Sequence, residues 1–229
     1  MRVVAVIPAK GHSSRLPDKN FRPFYQEQSL LEIKIGQCLA SGAFEEVYVS
    51  SDDDRARKVA EEIGAHFVPR DSRLCLDSTP WYEVLTGVLD ALPEDDDTWI
   101  AWCPVTSPLF RRYAEVIDAL RQRRTEGHNS IATVTPLKHY YLNDKYIPIN
   151  HQWGVWHAYS QNVSPLYQLN LACILSQKLE MKRCLYQIGS RPAFFHTETW
   201  EGLDIDTLEE FELAQWYYQR YLGGAHDRG

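Results

Sequence analysis

The chain has 229 residues, of which 44% are hydrophobic; this is enough for one α/β domain with an insertion and too few for two full domains. Its formal net charge of −7 argues against nucleic acid as a partner, because phosphate backbones recruit basic surfaces. The five cysteines are odd in number and include no C-x-x-C pair, so neither a disulfide framework nor a zinc site is predicted.

Short β-rich runs alternate with helical patterns along most of the chain. Strands are predicted at residues 3–7, 47–50, 66–68, 99–103 and 130–134, and helices over residues 30–40 and after residue 54. The first run, VVAVI, has no polar position, which is typical of a strand buried on both faces. This alternation predicts an α/β fold whose mainly parallel sheet carries helices on both faces. Ligands of such sheets bind at the carboxyl ends of the strands.

The loop after the first strand combines small residues with three cations. It contains Gly11 and two serines together with Lys10, Arg15 and Lys19. Small residues let backbone N–H groups approach an anion, and the cations can neutralise several negative charges at once. This composition favours a triphosphate as the ligand; the alternative is a solvated loop whose cations face water. The sequence has neither G-x-G-x-x-G nor G-x-x-x-x-G-K-[ST], which argues against a dinucleotide enzyme or an ordinary ATPase.

Residues 138–167 form an aromatic, polar stretch without a clean helical period, and we interpret them as an insertion that leaves the sheet. So many aromatic side chains are costly to expose to water. We therefore expect the insertion to cover a neighbouring subunit in a homodimer, or the mouth of the site. The alternative is a hydrophobic lid within one subunit.

Two aspartates near the C-terminus, Asp204 and Asp206, are candidates for a metal site. They are two residues apart, so on an extended segment both carboxylates point to the same side. Thr207 and Glu210 form a T-x-x-E capping box for the next helix, which leaves the aspartates free. Mg²⁺ takes one or two carboxylates together with phosphate oxygens. The alternative is that the aspartates only interact with the positive end of that helix.

The sequence contains no signal for a membrane or for export. No apolar run approaches the roughly 18 residues that span a bilayer, and a strand pattern begins at residue 3 without a signal-peptide h-region. We expect a cytoplasmic protein with no membrane partner. We also expect a single domain over residues 1–222, with residues 223–229 as a frayed tail.

The segment over residues 9–20, AKGHSSRLPDKN, is similar to the signature of the cytidylyltransferases that activate acidic sugars, as in the acylneuraminate cytidylyltransferases. That signature reads Ala-Arg-Gly-Gly-Ser-Lys-Arg-Ile/Leu-Pro-x-Lys-Asn. Lys10 stands in place of the Arg, and His12 and Ser14 also depart from the motif. The matching residues are Ala9, Gly11, Ser13, Arg15, Leu16, Pro17, Lys19 and Asn20.

Further segments resemble the same family. Arg70 and the run over residues 77–80, DSTP, resemble the segment that faces the cytosine base. Residues 102–109, WCPVTSPL, resemble Leu-Leu-Gln-Pro-Thr-Ser-Pro-Leu, with Pro104 in place of Gln. Residues 167–172, YQLNLA, resemble Tyr-Arg-x-Asn-Gly-Ala, with Gln168 in place of Arg. The run LDIDTLEEF over residues 203–211 resembles Asp-Ile-Asp-Thr-Pro-Glu-Asp-Leu, which assigns the metal role to Asp204 and Asp206.

The resemblance implies a Rossmann-like nucleotidyltransferase fold and a Mg²⁺-dependent transfer of CMP from CTP to a small acidic acceptor. It implies catalytic roles for Lys10, Arg15, Lys19 and Asp206. It implies nucleotide contacts from Ala9, Lys10, Gly11, Ser13, Arg15, Lys19, Asn20, Arg70, Asp77 and Ser78. It implies acceptor contacts at Pro104, Thr106, Ser107, Gln168 and Asn170. Lys138 and His139 are the nearest cations that could compensate for the charge that Gln168 lacks, and we therefore include Lys138 among the acceptor contacts.

Two other functions remain open. Asp204-Ile205-Asp206 is also the D-x-D pattern of glycosyltransferases that hold a nucleotide sugar through a metal, although such enzymes are expected to carry it in mid-chain. A non-catalytic nucleotide-binding protein of the same ancestry is the third possibility. Because Pro104 has no side-chain donor and Gln168 has no charge, we predict that N-acetylneuraminic acid is used poorly, with a related nonulosonic acid preferred.

Overall fold

The computed structural model describes residues 1–223, so residues 224–229 of the predicted tail lie outside the described residues. The strands are β1 (Val3–Pro8), β2 (Pro23–Tyr25), β3 (Gln28–Ser29), β4 (Glu46–Ser51), β5 (His66–Pro69), β6 (Trp99–Trp102), β7 (Ser130–Leu137), β8 (Leu166–Gln177) and β9 (Pro192–His196). The α-helices are α1 (Leu30–Ala40), α2 (Asp54–Ile63), α3 (Trp81–Ala91), α4 (Tyr113–Arg124), α5 (Lys178–Cys184) and α6 (Leu208–Tyr217).

Seven strands form one sheet in the order β5-β4-β1-β6-β8-β7-β9. The pairs β5–β4, β4–β1, β1–β6 and β7–β9 are parallel, whereas β8 runs antiparallel to both of its neighbours. The prediction of a mainly parallel sheet is therefore confirmed. The predicted strands did not include β8 or β9. Leu166 and Tyr167, which we assigned to the insertion, are the first residues of β8.

Helices cover both faces of the sheet, as predicted. The apolar residues of β1 are fully buried, and alternate positions face opposite sides. Val3, Ala5 and Ile7 join a core cluster that contains residues of α1, α2, α4 and α6. Val4 and Val6 join a second cluster with residues of α3 and α5. No helix within residues 1–223 combines the length and the apolar character that crossing a membrane requires.

A buried lysine on α1 forms hydrogen bonds that hold the loop after β6 in place. The ammonium group of Lys34 donates to the Ser107 carbonyl at 2.7 Å and to the Tyr113 hydroxyl at 2.8 Å. Gln37, one turn further along α1, donates to the Pro108 carbonyl at 2.6 Å. Burial lowers the pKa of Lys34. The backbone of residues 107–108 is therefore fixed by buried side chains of α1.

We predict that Lys34→Met lowers the free energy of unfolding by about 2–4 kcal/mol, because the Ser107 carbonyl and the Tyr113 hydroxyl then lose their partner inside the core. Urea unfolding measures this change. Lys58→Met, at an exposed position of α2, is the matched control and is expected to change stability by less than about 0.5 kcal/mol. Equal, small effects of the two substitutions would contradict the supporting role of Lys34.

Candidate active site

A cleft with a volume of about 580 Å³ opens at the carboxyl ends of β1 and β6. One end is polar and is formed by the loop after β1, together with Arg70 and Asp77. The other end is apolar and is formed by residues of α3, β6 and β8. Nine residues of the predicted site line the cleft: Lys10, Ser13, Arg15, Lys19, Asn20, Arg70, Asp77, Pro104 and Thr106.

The N–H group of Gly11, in the loop after β1, is used by a neighbouring element of the fold. The N–H of Gly11 donates to Asp52 Oδ1 at 3.0 Å. A side chain at position 11 would place its Cβ 2.7 Å from Asp53 Oδ2, so glycine is needed here for close packing against the start of α2. The predicted phosphate contact of the Gly11 N–H is therefore corrected to a structural contact.

Ala9 also has a structural role instead of the predicted nucleotide contact. Its side chain is fully buried, its N–H donates to the Ser50 carbonyl, and its own carbonyl accepts from Arg70 Nη2 at 2.8 Å. Ser78 is exposed and is not part of the cleft lining, so its predicted contact with the nucleotide is not supported by this geometry.

Lys10 is held in the polar end by the opposite wall of the cleft. Its ammonium group lies 2.8 Å from Asp77 Oδ1. The hydrogen bond from Lys10, with a second one from Ser14, holds the pKa of Asp77 below its usual value. Asp77 therefore orients Lys10, a role that differs from the predicted contact with the base.

Two buried polar atoms in the polar end have no hydrogen-bond partner among the described residues. Asn20 donates through Nδ2 to the Lys10 carbonyl at 2.9 Å, but its Oδ1 accepts nothing. Arg70 donates through Nη2 to the Ala9 carbonyl, but its Nε has no acceptor. Both side chains line the cleft and are only 7% exposed. Gln37 Oε1 and Ser50 Oγ also lack a partner within residues 1–223 but lie outside the cleft lining. Because buried polar groups are nearly always satisfied in native proteins, the two atoms of the cleft-lining residues are candidates to pair with a bound polar ligand.

The segment over residues 204–206 contacts two cations of the cleft, although Asp204 and Asp206 are not themselves part of the cleft lining. The Asp206 carboxylate forms ion pairs with two cations of the loop after β1. Its Oδ2 lies 2.7 Å from Arg15 Nη1, and its Oδ1 lies 3.3 Å from Lys19 Nζ. Lys19 also donates to the Ile205 carbonyl at 2.5 Å, and the Ile205 N–H donates to the Thr106 carbonyl at 2.9 Å. The loops after β1 and β6 and the start of α6 therefore share one hydrogen-bond network.

Asp204 and Asp206 lie close enough to influence each other electrostatically. Partial desolvation, together with the charge of Asp206, raises the pKa of Asp204, and a hydrogen bond from Thr106 opposes that shift. The predicted capping box is present, since Thr207 accepts from the Glu210 N–H and Glu210 accepts from the Thr207 N–H. The aspartate carboxylates are therefore not required as helix caps.

This carboxylate pair fits an incomplete magnesium site. Within residues 1–223, no group of three or more His, Cys, Asp or Glu side chains is arranged to hold a metal ion. Mg²⁺ does not need such a group, because it keeps several waters and commonly binds one or two carboxylates plus substrate phosphates. Asp204 and Asp206 match that donor set, next to the cations Arg15 and Lys19.

The predicted acceptor residues are only partly brought together. Pro104 and Thr106 line the cleft, whereas Lys138 and Gln168 are exposed and outside its lining. Ser107 is buried, and its carbonyl accepts from Lys34. These positions form no continuous acceptor surface within the described chain.

Asn170 is a structural residue in place of the predicted acceptor contact. Its Oδ1 accepts from Thr133 Oγ1 at 2.6 Å and from the Ala172 N–H at 3.1 Å. Its Nδ2 donates to the hydroxyls of Thr135 at 2.8 Å and Thr197 at 2.9 Å. These four bonds use the full capacity of the amide, so Asn170 joins β7, β8 and the chain after β9.

The apolar end of the cleft contains residues that the sequence analysis did not assign to the site. The indole N–H of Trp81 donates to Gln187 Oε1 at 2.6 Å, and the Trp81 ring meets Trp102 edge-on, with 5.8 Å between centroids. Leu171 and Tyr186 line the same end. Trp81 directly follows the motif segment over residues 77–80, and Trp102 is the first residue of the segment over residues 102–109. These positions were the one signal that the sequence offered.

We predict that Asn170→Ala lowers the free energy of unfolding by about 2–4 kcal/mol, because several buried hydroxyl and amide groups lose their partner. Chemical denaturation measures the loss. Asn162→Ala, at an exposed position, is the control and is expected to change stability by less than about 0.5 kcal/mol. Normal stability of Asn170→Ala with loss of acceptor binding would restore the original prediction for this residue.

Comparison with known proteins agrees with this arrangement. A family model described as cytidylyltransferase matches residues 4–219. The chain is 27% identical over 218 residues to the N-acylneuraminate cytidylyltransferase of Escherichia coli, covering 93% of this chain and 51% of that protein. It is also 27% identical over 231 residues to the CMP-N,N'-diacetyllegionaminic acid synthase of Legionella pneumophila, covering 94% of this chain and 95% of that protein.

The fold has a counterpart among solved structures. CMP:2-keto-3-deoxy-manno-octonic acid synthetase in complex with CTP superposes with a TM-score of 0.70 at 16% identity, covering 97% of this chain and 100% of that one. The chain spans about half the length of the N-acylneuraminate cytidylyltransferases that it matches in E. coli and Streptococcus agalactiae. A family match over nearly the whole described chain, together with a shared fold, shows that the chain belongs to the cytidylyltransferase family.

Proposed function

We propose that this chain transfers CMP from CTP to a small acidic sugar and releases pyrophosphate. The observation that carries the proposal is the polar end of the cleft, where three cations converge beside two unpartnered buried atoms, Asn20 Oδ1 and Arg70 Nε. The names of the relatives support the substrate class, since they act on N-acylneuraminate and diacetyllegionaminic acid or, for the fold neighbour, bind CTP.

Lys10, Arg15 and Lys19 would bind the triphosphate. Each cation is already positioned by a carboxylate, Lys10 by Asp77 and the other two by Asp206. A triphosphate offers more negative charge than these single carboxylates and accepts several charge-assisted hydrogen bonds at once. The side chains are therefore in place before the nucleotide arrives, which lowers the entropic cost of binding.

Asn20 and Arg70 would contact the ribose and base. The unpartnered Asn20 Oδ1 can accept a hydrogen bond, for which a ribose hydroxyl is a suitable donor. The unpartnered Arg70 Nε can donate to a carbonyl oxygen such as the one on the cytosine ring. Pairing both atoms on nucleotide binding removes the cost of leaving them unsatisfied in the buried site.

Asp206 and Asp204 would hold Mg²⁺ when the nucleotide is bound. The ion would supply charge neutralisation at the triphosphate and would lower the pKa of the acceptor hydroxyl. Asp206 also positions Arg15 and Lys19, which are able to stabilise the charge that develops on the departing pyrophosphate.

In the proposed reaction, an oxygen of the acceptor hydroxyl forms a bond to the α-phosphorus of CTP. The bond from that phosphorus to the bridging oxygen breaks in line, pyrophosphate leaves, and the hydroxyl proton passes to solvent. The chain forms no covalent intermediate, so its task is to position and to neutralise charge. Pro104 lines the cleft but has no side-chain donor, and Gln168 is uncharged and lies outside the cleft lining. For this reason we infer that a nonulosonic acid other than N-acetylneuraminic acid is the preferred acceptor.

A pyrophosphate-release screen tests the proposal. It crosses the four ribonucleoside triphosphates with a panel of acidic sugars, with Mg²⁺ and with EDTA in excess. The expected result is release with CTP and an acidic sugar that stops when EDTA is present. Transfer from a nucleotide sugar without pyrophosphate release would support the glycosyltransferase alternative. Tight CTP binding without turnover on any acceptor would support the non-catalytic one.

We predict that Arg15→Ala weakens CTP affinity by about 10- to 100-fold, because it removes a charge-assisted contact worth about 1.5–3 kcal/mol. Arg121→Ala is a matched control, since Arg121 is also a surface arginine and pairs with Asp118 at 2.8 Å. Calorimetric titration of CTP onto both variants gives the comparison. Equal, small effects at the two positions would instead indicate a solvated loop after β1.

We also propose that the insertion mediates a homodimer. Between β7 and β8 it exposes a group of large apolar side chains, with Trp153 64%, Val155 92% and Trp156 78% accessible. Exposed clusters of this kind mark interaction surfaces. Most soluble oligomers are homo-oligomers with two-fold dimers the commonest, so a second copy of the chain is the proposed partner.

We predict that replacing both Trp153 and Trp156 by Ser shifts the protein towards the monomer in analytical ultracentrifugation. Trp216→Ser, at a position of α6 that is 55% exposed, controls for the loss of any surface tryptophan and is expected to leave the oligomeric state unchanged. A wild-type protein that sediments as a monomer at all concentrations would rule out the dimer.

A further inference from the structure

We propose that Leu171 is a specificity-determining residue, and that the apolar end of the cleft selects acceptors that carry an apolar substituent such as an acylamino methyl group. This inference rests on the proposed function, because it assigns the apolar end of the cleft to the acceptor of that reaction.

The backbone of Leu171 is held in a conformation that disfavours leucine. Its φ is +56°, in the left-handed region that glycine adopts freely and bulky residues rarely enter. The residue lies between Leu169 and Ile174 of β8, where the pairing with β7 shifts register. Bulges of this kind re-aim side chains and are frequent beside active sites. A leucine at this position places an aliphatic side chain in the cleft lining at a conformational cost that glycine would avoid.

The surrounding structure keeps this strained conformation in place. Asn170, the preceding residue, accepts from the Ala172 N–H and from Thr133 Oγ1. The same Thr133 hydroxyl accepts from the Cys173 N–H at 3.1 Å. The backbone on both sides of Leu171 is therefore fixed by buried hydrogen bonds, and strain persists only where neighbours impose it in this way.

Apolar side chains line this end of the cleft together with Leu171, among them Trp81, Trp102 and Ile174. Trp81 is 42% exposed. Its indole N–H is not available to a ligand, because it donates to the side chain of Gln187, which is 4% exposed. The ring is oriented by edge-on contact with Trp102. Trp81 therefore exposes its aromatic surface to the cleft. Such a surface contributes to the free energy of binding when a ligand covers it.

The acceptor, and not the cytosine base, fits this end of the cleft. A base is recognised by hydrogen bonds to its edge, and the unpartnered polar atoms, Asn20 Oδ1 and Arg70 Nε, are part of the polar end with the triphosphate cations. Since β1 carries that end and β8 carries Leu171, with β6 between them, the apolar end is left for the second substrate.

The test is Leu171→Gly, assayed with two acidic nine-carbon sugars that differ only in carrying acylamino groups or hydroxyls at the same carbons. Leu185→Gly is the matched control, because Leu185 has a φ of +51° and is not part of the cleft lining. For the wild type we expect a lower KM with the acylated sugar. In Leu171→Gly that KM rises by about tenfold. The KM for the hydroxylated sugar and the KM for CTP change little, and the melting temperature stays the same or rises.

Calorimetric titration of both sugars, with a non-reacting α,β-methylene analogue of CTP present, separates this inference from the proposed function. Loss of preference for the acylated sugar in Leu171→Gly alone supports the inference even where no pyrophosphate is released. A weaker affinity for the CTP analogue with unchanged acceptor affinity would assign this end of the cleft to the base and overturn the inference. Equal affinities of the wild type for the two sugars, or no binding of either, would also overturn it.

Discussion

The ammonium group of Lys19 is the interaction on which the architecture of the site depends. It is buried, and it joins the loop after β1 to the Ile205 carbonyl and the Asp206 carboxylate, 186 residues further along the chain. Ile205 in turn binds the loop after β6 through Thr106. Breaking a buried charged contact of this kind is costly, because it leaves an uncompensated charge and an unpaired carbonyl. The position of the metal-binding aspartates in the proposed mechanism therefore depends on a lysine at the other end of the sequence.

Charge is distributed so that an acidic protein can still attract an anion. The chain carries a net charge of −7, yet Lys10, Arg15 and Lys19 lie within one loop of the cleft, where Asp77 and Asp206 position them. Together with Arg70, which also lines the cleft, these cations outnumber the two carboxylates that position them, and an excess of positive charge in a cleft focuses the electrostatic field there despite the global balance. Below it, Lys34 and Gln37 fix the neighbouring loop without contributing to the cleft surface. The chain thus uses buried polar side chains for geometry and part-exposed ones for binding.

Local patterns in the sequence were sufficient to predict β1, the helices on both faces and the capping box at Thr207, because each depends on residues a few positions apart. The hydrogen bonds of Gly11 and Asn170 could not be predicted in the same way. The first depends on packing against α2, and the second on the pairing of β7 with β8 across an irregular register. The antiparallel direction of β8 and the apolar end of the cleft depend on the same long-range pairings. The motif match assigned residues such as Ala9 and Ser107 to the site because of their positions in the sequence. In the structure, their side chains or backbone groups make contacts within the core.

The 186-residue separation between Lys19 and Ile205 has a consequence for the biosynthesis of the chain. At the usual synthesis rate, about 10–40 seconds pass between the addition of these two residues. During that interval β1 lacks the partners that α6 contributes to its core cluster, so apolar surface remains open on the emerging chain. Contacts between distant residues also form slowly, because loop closure must precede their stabilising effect. The cleft is therefore among the last features of the fold to form.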